Sequence, residues 1–484
     1  MSIRTSALFL VLAANTLPVV QSFVNYANDF INPDYILAGN FNDTTIPAQS
    51  TIKQWAEDST SGGPWSVTSK PYLAPSGDKH DYMSFSPYWW PNCTAVGNTT
   101  ELTPQQIWTT CPYYPRDGKF NPDARIVNNI GDFDSMSNAV LFNSLAWAIS
   151  SKDSKYSSRV VTWIKAWFLD EDTYMNPNLN YAQMQRGPGT EGQVGTHTGI
   201  LDLKGMTKLT SGVLILRSGK APEWTSDIDS QFNEWLKKYI EWLETATIAI
   251  QEKNSTNNHG SFYFNQLAAL QVLVDDKAGA QKTLDEYFDG IYMGQIAANG
   301  DQPLESARTR PFHYRAYNLA AMITNARIAA YLSPSTASSY WNRTTTSGAT
   351  IQQAALYAMD QQAGSEDPTE LYPDVAAVAA VYGDKDGKYV QWLKEKDGSG
   401  FVSDASFLWD QPVGDAGFAA LLVKNSSVST SGSASGSASA SKPGASGMSE
   451  AQTSGVSVEG SWRVRGMLYA ACGVVMAVSF LEFL

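Results

Sequence analysis

Residues 227–250 read DIDSQFNEWLKKYIEWLETATIAI. Ile228, Phe232, Trp235, Leu236, Tyr239, Ile240 and Leu243 recur there at three- and four-residue spacing, with Glu234, Lys237, Lys238 and Glu241 on the opposite side. A 3.6-residue period gathers the first set into one broad apolar stripe, which a helix buries against other helices. The same period runs through Ser135–Ser150, Ser158–Leu169, Ile228–Glu252, Phe262–Val274, Tyr314–Leu332, Ile351–Gln362 and Asp374–Tyr382, while strand alternation is scarce. The expectation is an all-α fold. The connections Asp170–Gly199 and Gly290–His313 are long and rich in Pro and Gly, as loops that carry function often are. Phe23–Pro122 holds many Pro, Asn and Trp residues and few clear periods, which predicts short helices and loops covering one side of the helical body.

The 484-residue chain has 34 Lys+Arg against 47 Asp+Glu, and its net charge of −13 argues against nucleic acid as a partner, since a phosphate backbone would be repelled. A hydrophobic content of 43%, with 15 Trp, 23 Tyr and 19 Phe, is ample for a large core; the ring excess also suits a carbohydrate cleft. Met1–Ser22, with Arg4 ahead of the apolar run Ala7–Ala14, reads as a secretory signal peptide. Residues 23–425 form the expected folded domain. Residues 426–460 turn to Ser, Ala, Gly and Thr and read as a disordered stalk. Residues 461–484 end in the apolar run Met467–Leu484, which resembles a removable glycosylphosphatidylinositol-anchor signal, with Ser454 as the attachment residue. A membrane partner is then expected only through that anchor, and the location is the outer face of the plasma membrane or the cell wall. Cys472 falls in the removable tail, which leaves Cys93 and Cys111 as one disulfide in an oxidising compartment. Sequons stand at Asn42, Asn92, Asn98, Asn254, Asn342 and Asn425.

All four histidines lie in polar, irregular segments: His80, His197, His259 and His313. His259 follows Asn257 and Asn258 at the mouth of a predicted helix, where amides and dipole could hold an anion. The segment Gln302–Tyr314 brings Arg308, Arg310, His313 and Tyr314 within seven positions, a set suited to carboxylate recognition with proton transfer. Tyr314 beside an arginine is expected to have a lowered pKa. The plainer reading is a surface patch in which Glu305 pairs with Arg308.

Lys79-His80-Asp81-Tyr82 leading to Ser86-Pro87-Tyr88-Trp89-Trp90-Pro91, then Asn176-Pro177-Asn178-Leu179-Asn180-Tyr181-Ala182-Gln183, Asn257-Asn258-His259-Gly260 and Gln302–Arg310 with His313-Tyr314 together resemble the alginate lyase superfamily of polysaccharide lyases. The resemblance covers about residues 70–330. It implies an incomplete (α/α) toroid of helical hairpins with long functional loops, and a β-elimination on a 4-linked polyuronate such as alginate or glucuronan, with no cofactor; no metal is expected either, since there is no HxxxH or CxxC pair and the histidines are scattered. It also implies that Asn258 and His259 neutralise or position the uronate carboxyl, that Arg308 assists, and that Tyr314 exchanges the proton at the glycosidic oxygen; His259 or Tyr314 removes the C5 proton. Arg310 and His313 are subsite candidates, and Tyr88, Trp89, Trp90, Gln183 and His197 are candidates for the cleft rim. An anionic polysaccharide partner sits badly with −13 unless the cleft is locally basic, which Arg308, Arg310 and Arg315 could supply. Two other classes compete: a toroid glycoside hydrolase using Asp132, Asp134 or Glu191, and an anchored, non-catalytic wall binder. The oligomeric state is left open.

Overall fold

The structure, a computed structural model, describes residues 30–96, 102–398 and 400–410. The expected signal peptide, stalk and anchor signal, and the sequons at Asn98 and Asn425, lie outside the described residues. The helices are α1 (Pro33–Ala38), α2 (Ile46–Asp58), α3 (Pro104–Thr110), α4 (Asn129–Ile149), α5 (Ser154–Ile164), α6 (Met206–Ser218), α7 (Ser226–Thr245) and α8 (Thr247–Lys253). They continue with α9 (Asn258–Leu273), α10 (Lys277–Asp289), α11 (Pro303–Ser306), α12 (Pro311–Leu332), α13 (Ala337–Trp341), α14 (Ile351–Met359), α15 (Tyr372–Tyr382) and α16 (Lys388–Asp397). Among the described residues there are also two small sheets: β1 (Met83–Phe85) runs parallel to β4 (Tyr181–Met184), and β2 (Trp89–Pro91) runs antiparallel to β3 (Tyr113–Pro115). Among the described residues no helix is long and apolar enough to cross a membrane.

The helices form two layers because their sequences are of two kinds. α4, α6, α9, α12 and α15 are buried on nearly every face, and each packs on the next in that order. Burial on every side makes these the interior layer, polar residues such as Asn143 and Ser211 included. α2, α5, α7, α10 and α14 are amphipathic and cover this inner set; α7 buries Phe232, Trp235, Leu236, Tyr239 and Leu243, the predicted stripe. Each large side chain buried in this way contributes roughly 1.5–3 kcal/mol. Among the described residues α2 and the 3₁₀ turn Ala405–Leu408 form the main link from α15 back to α4. The fold is the all-α, incomplete (α/α) toroid expected.

Several boundaries differ from the expected ones for local reasons. The predicted helix Ile228–Glu252 is two, because Ala246 is extended (φ −69°, ψ 135°) and turns α8 away from α7. That turn leaves Glu252 fully buried on α8 beside the start of α9. α6 was not legible as a helix, since Thr207, Lys208, Thr210, Ser211 and Gly212 interrupt its apolar period although all five are buried. Cys93 and Cys111 form the expected disulfide, which ties the end of α3 to the segment after β2. Asn42, Asn92, Asn254 and Asn342 are exposed.

α9 begins one turn before its apolar run because Asn257 caps it, its side chain accepting from the His259 backbone N–H at 3.3 Å. Gly260 has no room for a side chain: a Cβ there would run into the Ser255 carbonyl oxygen and approach Ile291 Cδ1 to 2.6 Å. Gly260→Ala should therefore destabilise the protein by about 1–3 kcal/mol and shift the first turn of α9. Thermal unfolding measures the first effect, and an unchanged midpoint would contradict the close packing.

Candidate active site

The first turn of α9 meets α8 at one buried carboxylate. Glu252 accepts His259 Nδ1 at 2.7 Å on Oε1 and His197 Nδ1 at 2.6 Å on Oε2. His197 arrives from the long loop, in the 3₁₀ segment His197–Leu203, and the two ring centroids lie 6.2 Å apart. A carboxylate only accepts, so both imidazoles carry a proton on Nδ1 and present Nε2 as the free nitrogen. Burial pushes the Glu252 pKa up, but the hydrogen bonds from His197 and His259 outweigh it and hold it below the usual carboxylate value. The same hydrogen bond raises the His197 pKa above that of a free imidazole. The three side chains offer ligand atoms within 4.8 Å of one another, a set that could take a divalent cation. The sequence held no metal motif because the three come from separate segments; the short Nδ1–O distances are those of hydrogen bonds.

A second buried carboxylate joins α9 to the arginine segment. Glu305, on α11, accepts the Asn258 backbone N–H and Asn258 Nδ2, each at 2.7 Å. Burial raises the Glu305 pKa, and His259 and Arg308 both lie near enough to oppose that rise. Residues 258–259 and the Arg308–Tyr314 segment thus share one neighbourhood. The plainer pairing of Glu305 with Arg308 is not what forms. Arg308 Nη2 instead bonds Asp117 Oδ1 at 2.7 Å and the Tyr314 hydroxyl at 2.9 Å, with the guanidinium 3.9 Å from the Tyr314 ring centroid. Tyr314 also meets the Tyr88 hydroxyl at 3.3 Å. Its pKa departs from the expectation: burial and the Tyr88 hydrogen bond push it well up, and Arg308 offsets only part of that, so the phenol stays protonated.

The remaining candidates fall into two groups. Glu370 accepts His313 Nδ1 at 2.6 Å and lies 3.7 Å from Arg310 Nη2, so the two form one anchored pair. Gln183, in a left-handed conformation (φ 46°), donates to Asp202 Oδ1 at 2.8 Å and accepts from Thr198 at 2.9 Å. Such a backbone state costs about 1–3 kcal/mol and persists where its surroundings impose it. Tyr88, Trp89 and Trp90 are half-buried at β2. His80 lies apart from this set, bonded to the Tyr174 carbonyl at 2.6 Å. Asp134 and Glu191 are exposed, and Asp132 accepts from Asn128 at 3.2 Å.

Sequence reasoning missed Glu252, Glu370, Asp117 and Tyr317. Tyr317 stacks on His313 (ring centroids 5.6 Å apart, 14° between planes) and meets Phe262 at a tilt (4.3 Å, 40°). Its signal was present: it lies three and four positions after Tyr314 and His313 on one helix face.

The alginate lyase family pattern matches residues 66–369. In structure, the chain is similar to a crystallised alginate lyase from Bacteroides ovatus, with a TM-score of 0.66 and 27% identity over 80% of this chain and 100% of that one. No curated protein matches it.

The His197 imidazole should titrate above the ordinary histidine value of about 6.5, and Glu252→Gln should lower it, as read by NMR. The pair's contribution to stability is complete below that unfolded-state value and fades as pH rises through the raised folded one. His197→Gln should accordingly destabilise more at pH 6 than at pH 9; equal effects would contradict the ion pair.

Proposed function

Because this chain belongs to the alginate lyase family and is a polysaccharide lyase, we propose that it cleaves a 4-linked polyuronate, alginate, glucuronan or a close relative, by β-elimination at the cleft formed by Asn258, His259, Arg308 and Tyr314. The observation that carries this reading is the bridge of buried carboxylates: Glu252 orients His259 and His197, and Glu305 ties Asn258 to the segment that holds Arg308 and Tyr314.

β-Elimination removes the C5 proton beside the carboxylate, forms C4=C5 and breaks C4–O, while the departing glycosidic oxygen takes a proton. The C5 proton is acidic enough only once the carboxylate's charge is neutralised. His197, with its raised pKa, supplies a proton-bearing donor for that carboxylate. Asn258, whose Nδ2 gives one hydrogen to Glu305, adds an amide donor. His259 is then the base: Glu252 holds Nδ1–H, and the Nε2 lone pair accepts the C5 proton. The buried, protonated Tyr314 is the acid at the glycosidic oxygen, and Arg308, lying on its ring, steadies the phenolate that results. Tyr88, Trp89, Trp90, Gln183, Arg310 and His313 line neighbouring subsites. Secretion and lipid anchoring through Ser454 complete the reading; the disulfide and the exposed sequons support passage through an oxidising, glycosylating compartment.

Purified protein incubated with polymannuronate, polyguluronate or glucuronan should give ultraviolet-absorbing, C4–C5 unsaturated ends, and a chelator should leave the rate unchanged. New reducing ends without that absorbance would mean hydrolysis and overturn the reading. Tyr314→Phe should lower kcat by about 10²–10⁴-fold, the usual weight of a positioned acid, with KM little changed. Were the variant to retain full turnover, the acid would lie elsewhere.

A further inference from the structure

We infer that the β2–β3 hairpin carries a second carboxylate subsite, beside the catalytic one, for a neighbouring sugar of the same polyuronate chain; this rests on the reading of the cleft as a polyuronate site. The described arginines divide sharply. Arg159, Arg217, Arg308, Arg310, Arg315, Arg327 and Arg343 each hold a carboxylate. Arg116, Arg125 and Arg186 have no carboxylate within ion-pair distance among the described residues; Arg116 and Arg186 lie at or against this hairpin, and Arg125 lies over Phe120 in the segment that follows it. The patch expected from Arg308, Arg310 and Arg315 is thus neutralised internally by Asp117, Glu370 and Asp301, and the free positive charge sits next to it.

Arg116 is exposed, its guanidinium carbon 5.1 Å from the Trp90 centroid and 4.9 Å from that of Tyr114, and its Nη2 bonds the Tyr114 hydroxyl. Two neighbouring rings and the Tyr114 hydroxyl restrict the guanidinium and leave its remaining N–H groups to capture a carboxylate. Exposed Lys119 follows in the same turn, its carbonyl accepting Trp90 Nε1 at 2.9 Å, and Arg125 covers the exposed Phe120 ring at 5.2 Å. Arg186 is buried beneath, over Tyr113 at 4.4 Å and donating to the Trp89 carbonyl at 3.2 Å, with Asp123 near enough to offset part of its charge.

The hairpin is fastened to the reacting groups. The Arg116 backbone N–H donates to the Tyr88 carbonyl at 2.7 Å, and the Tyr88 phenol meets Tyr314. Asp117, the next residue, holds Arg308, while Gly118 (φ 68°) lies so close to Thr309 that a side chain there would strike its hydroxyl. An anion at Arg116 is therefore held a short way along the cleft from Tyr314. A polymer with a carboxylate on every sugar presents its next charge at such a place, which a neutral glycan would not.

The test is equilibrium binding of the three polyuronates to full-length protein in the Tyr314→Phe background, where the polymer is not consumed. Arg116→Gln keeps a polar side chain and loses the charge and the guanidinium's reach, and should weaken binding about tenfold, the loss of one charge-assisted contact. Arg116→Lys should fall between, and the difference from Arg116→Gln should shrink as salt rises. Equal affinity in Arg116→Gln would overturn the subsite and leave the lyase reading intact. Weakened binding without unsaturated product from the wild-type chain would uphold the subsite and sink the elimination. Failure of the Tyr314→Phe protein to bind any polyuronate would overturn both, and an Arg116→Gln effect on an uncharged glucan of equal size would mark the hairpin as a general sugar platform.

Discussion

Buried carboxylates set the geometry of this cleft from behind. Glu252, Glu305 and Glu370 are almost wholly removed from solvent, and each is bonded to a group from a different part of the chain. An ionised carboxylate without partners in such a place would cost several kcal/mol, so each fixes its donors as firmly as they stabilise it. The consequence is chemical as well as mechanical. A negative charge held against Nδ1 raises the proton affinity of an imidazole, as His197 shows. A carboxylate arriving at the opposite nitrogen would raise it again, so the imidazole would keep its proton most firmly, as a hydrogen-bond donor, while an anion is bound.

This arrangement explains why the fold was more legible than the site. Periodicity found α7 because its stripe is one-sided, and it found α9 and α12 because their apolar runs are long. It lost α6, whose buried Lys208 and hydroxyls read as surface until packing is known. His259, Arg308 and Tyr314 stood out by residue type and order. Glu252 did not, since a glutamate near the end of a charged helix looks solvated; only the extended Ala246 turns it inward. Asp117 was equally silent, because its meaning depends on a turn that brings it 191 positions along the chain to Arg308. Tyr314 carried the opposite lesson: the neighbouring arginine was read correctly, but burial outweighs it and keeps the phenol protonated.

The starts of the two helices that frame the cleft show where the chemistry must come from. A helix N-terminus with free amides is a ready anion site, and α9 was expected to offer one. Its Asn258 N–H is instead taken by Glu305, and its His259 N–H by the Asn257 cap. On α12 the Phe312 and His313 N–H groups bond Glu366 at 3.3 and 2.8 Å. Both helix ends thus spend their positive character on the protein's own acids and caps. A sugar acid in the cleft meets side-chain donors rather than backbone amides. Side-chain donors on imidazole and phenol can change protonation during a reaction and amides cannot, so the same internal pairing that neutralises the helix ends leaves the groups able to move a proton on side chains.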